Sequence, residues 1–276
     1  MMSSMEIETL FLLDRNAVSL IKNALAGTKT VGVKKQNDLF TLRALDVPQH
    51  SISPLLSIIE GERGDADSVA EKAECLAKET DAIAGFFVQA CTDAVFLRAL
   101  NNSVARIFAG VQESQWDERT DFLVKAAPLI AQKVATRKRG SVEHELIRLA
   151  EDTGLASGDA IVVLFLACLY GNDAARKLIK PSQPSAYNVL SDLHIISRVG
   201  MVKAAAGQLL RPIKVRFHTL DEGLRDVLKH VGIVRPQFTS DGGVTMQIRF
   251  GPPLFPELAA ADSIALLQRL TIGGIK

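Results

Sequence analysis

The chain has 276 residues, 47% of them hydrophobic, and its 32 basic and 31 acidic side chains leave a formal net charge of +1. That balance excludes a disordered chain, a collagen and a polybasic nucleic-acid tail, and the length suits one large domain or two small ones. Cys75, Cys91 and Cys168 are widely spaced, with no CxxC pair, so the expected home is a reducing cytoplasm.

The opening MMSSMEIETLFLLDRN puts acids before a short apolar run and has no small-residue cleavage site, unlike a secretory leader. Within it, Thr9 to Leu13 reads as a strand buried on both faces, meeting Asp14, Arg15 and Asn16 at its end. Apolar side chains at 17, 18, 20, 21, 24 and 25 then predict a helix closing at Gly27. Ser53-Pro54 predicts the start of the helix PLLSIIEGERG, with Glu60 near its end.

From Asp65 to Leu169 the pattern is helical, with at least four helices expected and interruptions at Pro128 and Gly140. The longest apolar run, Ala160 to Tyr170, falls short of the ~20 residues a bilayer crossing needs, so it reads as a core helix of a soluble protein. KPSQPS, Lys180 to Ser185, is a turn cluster that delays the next helix to Ala186. That helix carries Asp192 on a broadly apolar face. Ile213 to Thr219 alternates as a half-buried strand, and LDEGLRDVLKHVG predicts a helix starting near Asp221. After a Ser240-Asp241-Gly242-Gly243 turn come a strand, Val244 to Phe250, and a last helix near Ala259 to Leu270. Strands near both ends with helices between them give the α/β class.

The segment LFLLDRNAV resembles the first-strand motif of PIN-domain nucleases, in which an aspartate ending the strand is followed two residues later by asparagine or a similar residue. Glu60 in ISPLLSIIEG looks like that family's helical glutamate, Asp192 in YNVLSDL like its later acid, and Thr219 and Asp221 in FHTLDEGL like its T-x-D motif, all in the family's order. The resemblance implies a PIN-like core over 1–64 and 185–276, a parallel sheet flanked by helices, with 65–184 as a large helical insertion. It further implies a Mg²⁺- or Mn²⁺-dependent nuclease hydrolysing phosphodiester bonds, with single-stranded RNA as the implied substrate. Asp14, Glu60, Asp192 and Asp221 would be the catalytic metal ligands, with Asn16 and Thr219 supporting them. Hard divalent cations prefer carboxylate oxygens, and a pair of ions on one phosphodiester needs several carboxylates converging from separate elements. The chain departs from the family at Arg15, where many members carry a small hydroxyl residue, and in the long gap between Glu60 and Asp192.

Each acid also has a purely structural reading. Asp14 and Asp221 could be helix caps, Glu60 a solvated helix-end acid with Glu62 equally placed, and Asp192 half of an ion pair. The competing function is a catalytically silent PIN-like scaffold that binds a partner protein through its helical insertion, and the partners expected besides RNA are such a protein or a second copy of the chain in a homo-oligomer. Gly27-Thr28-Lys29-Thr30 lacks the glycine spacing of a phosphate loop, and none of the five histidines has H-E-x-x-H spacing, though His194 and His218 flank the candidate acids. Lys34-Lys35 and Arg137-Lys138-Arg139 are local basic tracts open to phosphate contact. Trp116 and two tyrosines are too few for a base-stacking platform.

Overall fold

The computed structural model describes residues 6–28, 32–60, 68–109, 115–211, 213–240 and 244–272. In chain order the elements are β1 (Thr9–Leu13), α1 (Arg15–Leu25), α2 (Val33–Arg43), β2 (His50–Ser53), α3 (Leu55–Glu60), α4 (Val69–Phe86), β3 (Cys91–Thr92), α5 (Ala94–Ala99) and α6 (Asn101–Ala109). Then follow α7 (Trp116–Ile130), α8 (Thr136–Asp152), α9 (Ala160–Leu169), α10 (Asp173–Ile179) and α11 (Ala186–Ala206). The remainder is β4 (Lys214–His218), α12 (Glu222–Leu228), β5 (Val231–Phe238), β6 (Val244–Phe250), a 3₁₀ turn (Pro252–Leu254) and α13 (Ala260–Ile272).

Two compact units emerge. The first comprises 1–112, 197–221 and 235–245; the second comprises 113–196, 222–234 and 246–276. This differs from the expected partition at 64/65 and 184/185. Residues 69–109 fold into the first unit because α4 supplies Ala82 and Ile83 to the core under the sheet, and because Cys91–Thr92 adds a strand to it.

The first unit is built on a parallel sheet in the order β3-β2-β1-β4. Thr9 stands opposite both His50 and Lys214, so β1 is paired on both edges. Leu12 and Leu13 are fully buried, which explains the continuous apolar run of TLFLL. On one side Phe11 and Leu13 pack with Val18 and Ile21 of α1, Leu42 of α2 and Ile83 of α4. A smaller cluster joins Ile58 of α3, Leu76 of α4, Leu97 of α5 and Val104 of α6. The loop into β3 is fixed by Asp46, whose carboxylate accepts N–H bonds from Val88, Gln89 and Ala90. Partial desolvation raises that carboxyl's pKa, but the three amides outweigh it and hold the group below the usual carboxylate range.

In the second unit α9 is the central helix, buried from Ile161 to Leu169, as its all-round apolar sequence requires. Its start is capped by Asp159, which accepts the Ile161 N–H at 3.0 Å and pairs with Arg119 at 2.9 Å. Phe165 meets Phe122 of α7 edge to face at 5.2 Å. Glu143 of α8 accepts hydrogen bonds from the Tyr170 hydroxyl and from Arg269 of α13, each at 2.5 Å, tying the last helix to this core. Gly171 turns with φ +85°, and a Cβ there would stand 2.6 Å from the Glu257 side chain, so a larger residue would strain the backbone and displace that side chain.

Two sequence expectations need correction. Pro128 does not interrupt α7, which runs through it to Ile130, and Gly140 lies inside α8, which continues to Asp152. The strands β2, β3 and β5 and the helix α2 add to the expected elements. The turn residues 241–243 and Glu62 lie outside the described residues. All three cysteines are free, and burial pushes the Cys168 thiol up to about 12, which makes it an unreactive core residue. No described helix is long and apolar enough to cross a membrane.

Candidate active site

At the carboxyl edge of the parallel sheet Asp14 meets the segment that carries Asp221. Asp14 follows β1 directly and caps α1: its Oδ1 accepts the Ala17 N–H at 2.7 Å. Its Oδ2 accepts the Thr219 hydroxyl at 2.5 Å and the Leu220 N–H at 3.3 Å, from the segment that follows the neighbouring strand β4. Thr219 Oγ1 in turn accepts the Asp221 N–H at 3.0 Å, so the T-x-D segment is folded back onto Asp14. The cap reading and the strand-end reading of Asp14 are thus both realised by one side chain. Asp14 is 3% exposed. Burial raises its pKa, the bonds from Thr219, Ala17 and Leu220 oppose the rise, and the charge of Asp221 adds to it.

Glu60 ends α3, half-buried. Desolvation raises its pKa; Arg15 and Arg198 pull it down, while Asp14 and Glu79 push it up. These influences place Glu60 within electrostatic reach of Asp14 and of two guanidinium groups. Asp14, Glu60 and Asp221 thus belong to one unit, contributed by a strand end, a helix end and the segment after a second strand. Asp192 lies in α11 in the second unit, half-buried between the buried Ser191 and Leu193. Asn16 is exposed in the first turn of α1, and Thr219 is buried at 5%.

Other side chains at this edge escaped the sequence reading. Glu79 of α4 is 1% exposed and lies 3.6 Å from Lys22 of α1. Its spacing from Cys75, Leu76 and Ile83 puts it on the buried stripe of α4, which is the signal that could have found it. Asp93, just past β3, accepts a hydrogen bond from the Ser53 hydroxyl at the end of β2, and burial lifts its carboxyl to about 6. Ser53 also accepts the Leu55 N–H at 3.2 Å, so the same hydroxyl starts α3 as the Ser-Pro signal implied.

The Asp93 arrangement carries a stability prediction. A folded-state pKa above the ordinary value means that the fold favours the protonated acid, a contribution fully present below about pH 4 and lost as pH rises through about 6. Asp93→Asn keeps an acceptor for Ser53 and removes the ionisation. It is expected to raise stability at pH 7 by on the order of 2 kcal/mol, with little change at pH 4, in urea denaturation. An equal effect at both pH values would contradict this account.

The accessory phosphate contacts fare unevenly. Lys34 and Lys35 are exposed on α2 and Arg137 and Lys138 on α8, but Arg139 is 8% exposed, donates to the Val134 carbonyl and pairs with Glu257. It serves the interior of the second unit and is not available to phosphate. His194 is 2% exposed and stacks on Trp116 at 5.5 Å, a core arrangement, whereas His218 is a half-buried member of β4.

Carboxylates are the right donors for Mg²⁺ or Mn²⁺, but the arrangement is not a formed cation site. Among the described residues no group of three or more His, Cys, Asp or Glu side chains is placed to hold a metal ion, and Asp14 already accepts three hydrogen bonds. Comparisons with protein-family models, with curated proteins and with solved structures find no match to the chain.

Proposed function

We propose that the carboxyl edge of this parallel sheet is a phosphodiester-cleaving site and that the chain is a nuclease acting on single-stranded RNA. The observation that carries the reading is the joining of Asp14 to the Thr219–Asp221 segment across adjacent parallel strands, with Glu60 in electrostatic reach. Ligands of open parallel sheets bind at this edge, because strand ends and helix starts converge there. The chain's own contribution is a set of acids that raise one another's pKa, with Arg15 and Arg198 in electrostatic reach of Glu60, and guanidinium groups suit a phosphate. Mg²⁺ or Mn²⁺ is the cofactor that the PIN resemblance implies. The described side chains do not form that site, so no chemical step is routed through it.

A second reading, the catalytically silent scaffold, is favoured by one observation: Asp14 is committed to capping α1 and holding Thr219. One experiment separates the two. Purified chain with Mn²⁺ is expected to cleave single-stranded RNA internally, and Mn²⁺ or Mg²⁺ to raise its melting temperature by binding the native state. A melting temperature indifferent to either ion, with RNA left intact, would leave the scaffold in front.

A further inference from the structure

The helix that delivers Glu60 is six residues long, too short to hold its own shape in water. It is secured from outside at both ends. At its start, Ser53 Oγ accepts the Leu55 N–H while donating to Asp93. At its end, Lys72 of α4 donates from Nζ to the carbonyl oxygens of Ile58 at 2.9 Å and Ile59 at 3.3 Å, the two residues immediately before Glu60. Lys72 is 3% exposed, although lysine is seldom fully buried. A solvated side chain at a helix end would need no such placement. An ammonium on the last carbonyls of a helix satisfies acceptors that have no partner within it and complements the negative end of its dipole. Lys72 itself is well anchored: α4 begins with a capping box in which Ser68 and Glu71 satisfy each other's backbone, one residue before Lys72.

We infer that Lys72 is a positioning residue for Glu60, fixing the carbonyl end of α3 from which that carboxylate projects. The inference rests on the nuclease reading for its catalytic consequence, but its structural half stands alone. The ammonium acts through backbone carbonyls, so it never touches the substrate; it sets where the glutamate is. A misplacement of about 1 Å at a reacting group can cost on the order of a hundredfold in rate.

The test is a double-mutant cycle read together with hydrogen exchange. Lys72→Met keeps the length of the buried stem and removes all three donors. It is expected to lower kcat for RNA cleavage at least about tenfold with KM unchanged, and to add no further loss in a Glu60→Gln background. Lys72→Arg, which retains donors, should restore much of the rate. Amide exchange should quicken at Ile58, Ile59 and Glu60 while β1 and β4 stay protected. If Lys72→Met does not fold, Lys72→Gln, a shorter neutral donor, takes its place in the same cycle. A rate loss in Lys72→Met that multiplies with that of Glu60→Gln would overturn the inference, as would exchange that rises throughout the unit or not at all. Should the wild-type chain leave RNA uncut, the nuclease reading fails by itself, and localised exchange in α3 still decides the role of Lys72.

Discussion

Asp14→Asn is expected to reduce RNA cleavage by on the order of 10²–10³ without unfolding the protein. Asparagine has the shape of aspartate, and its oxygen can still accept the Ala17 N–H that starts α1. What it loses is the negative charge and the second acceptor, which now takes the Thr219 hydroxyl and the Leu220 N–H. The stability balance is small because its parts oppose. Burial raises the Asp14 pKa, so the ionised form at neutral pH costs the fold something that the amide does not, while the lost acceptor leaves Thr219 and Leu220 less well satisfied. A cleavage assay alongside thermal melting separates charge from fold. Unchanged cleavage with normal melting would remove Asp14 from the site; Thr219→Val offers an independent check, since it leaves the charge and breaks the bond that joins the two strand ends.

Phe165→Ala is expected to lower the stability of the second unit by about 3–5 kcal/mol. Phe165 is fully buried on α9 and packs edge to face with the equally buried Phe122. Every neighbour on α9 from Ile161 to Leu169 is buried as well, so the surrounding side chains have no route to collapse into the space without opening another. Chemical denaturation followed by circular dichroism measures the loss. A cost under about 1 kcal/mol would mean that this helix is loosely packed, contrary to its burial.

Where a segment's environment follows from its own side chains, the sequence was sufficient. TLFLL is one apolar run because both faces of β1 are covered, Phe11 and Leu13 packing on one and the fully buried Leu12 facing the other. The run from Ala160 is apolar all round because α9 has neighbours all round, and VTMQIRF alternates because β6 is half-exposed. The capping of α1 by Asp14, and the start of α3 at Ser53, are likewise local chemistry, complete within three residues.

Tertiary structure alone decided the rest, because the deciding partner is far away in the chain. HSIS and CT are too short and polar to announce strands; they become β2 and β3 only because a neighbouring edge offers N–H and C=O groups in register. Helix α4 has the same periodicity whether it belongs to an insertion or to the core, and packing against α1 and the sheet assigned it to the first unit. Glu79 and Lys72 look like surface charges in sequence, yet both are buried because each meets a specific group, Lys22 in one case and the last carbonyls of α3 in the other. The joining of Asp14 to Thr219 is likewise a long-range event, made by the parallel pairing of β1 with β4. Sequence order could name the acids of the candidate site, but which of them share a unit depends on how the strands pair, and that pairing is a property of the whole fold.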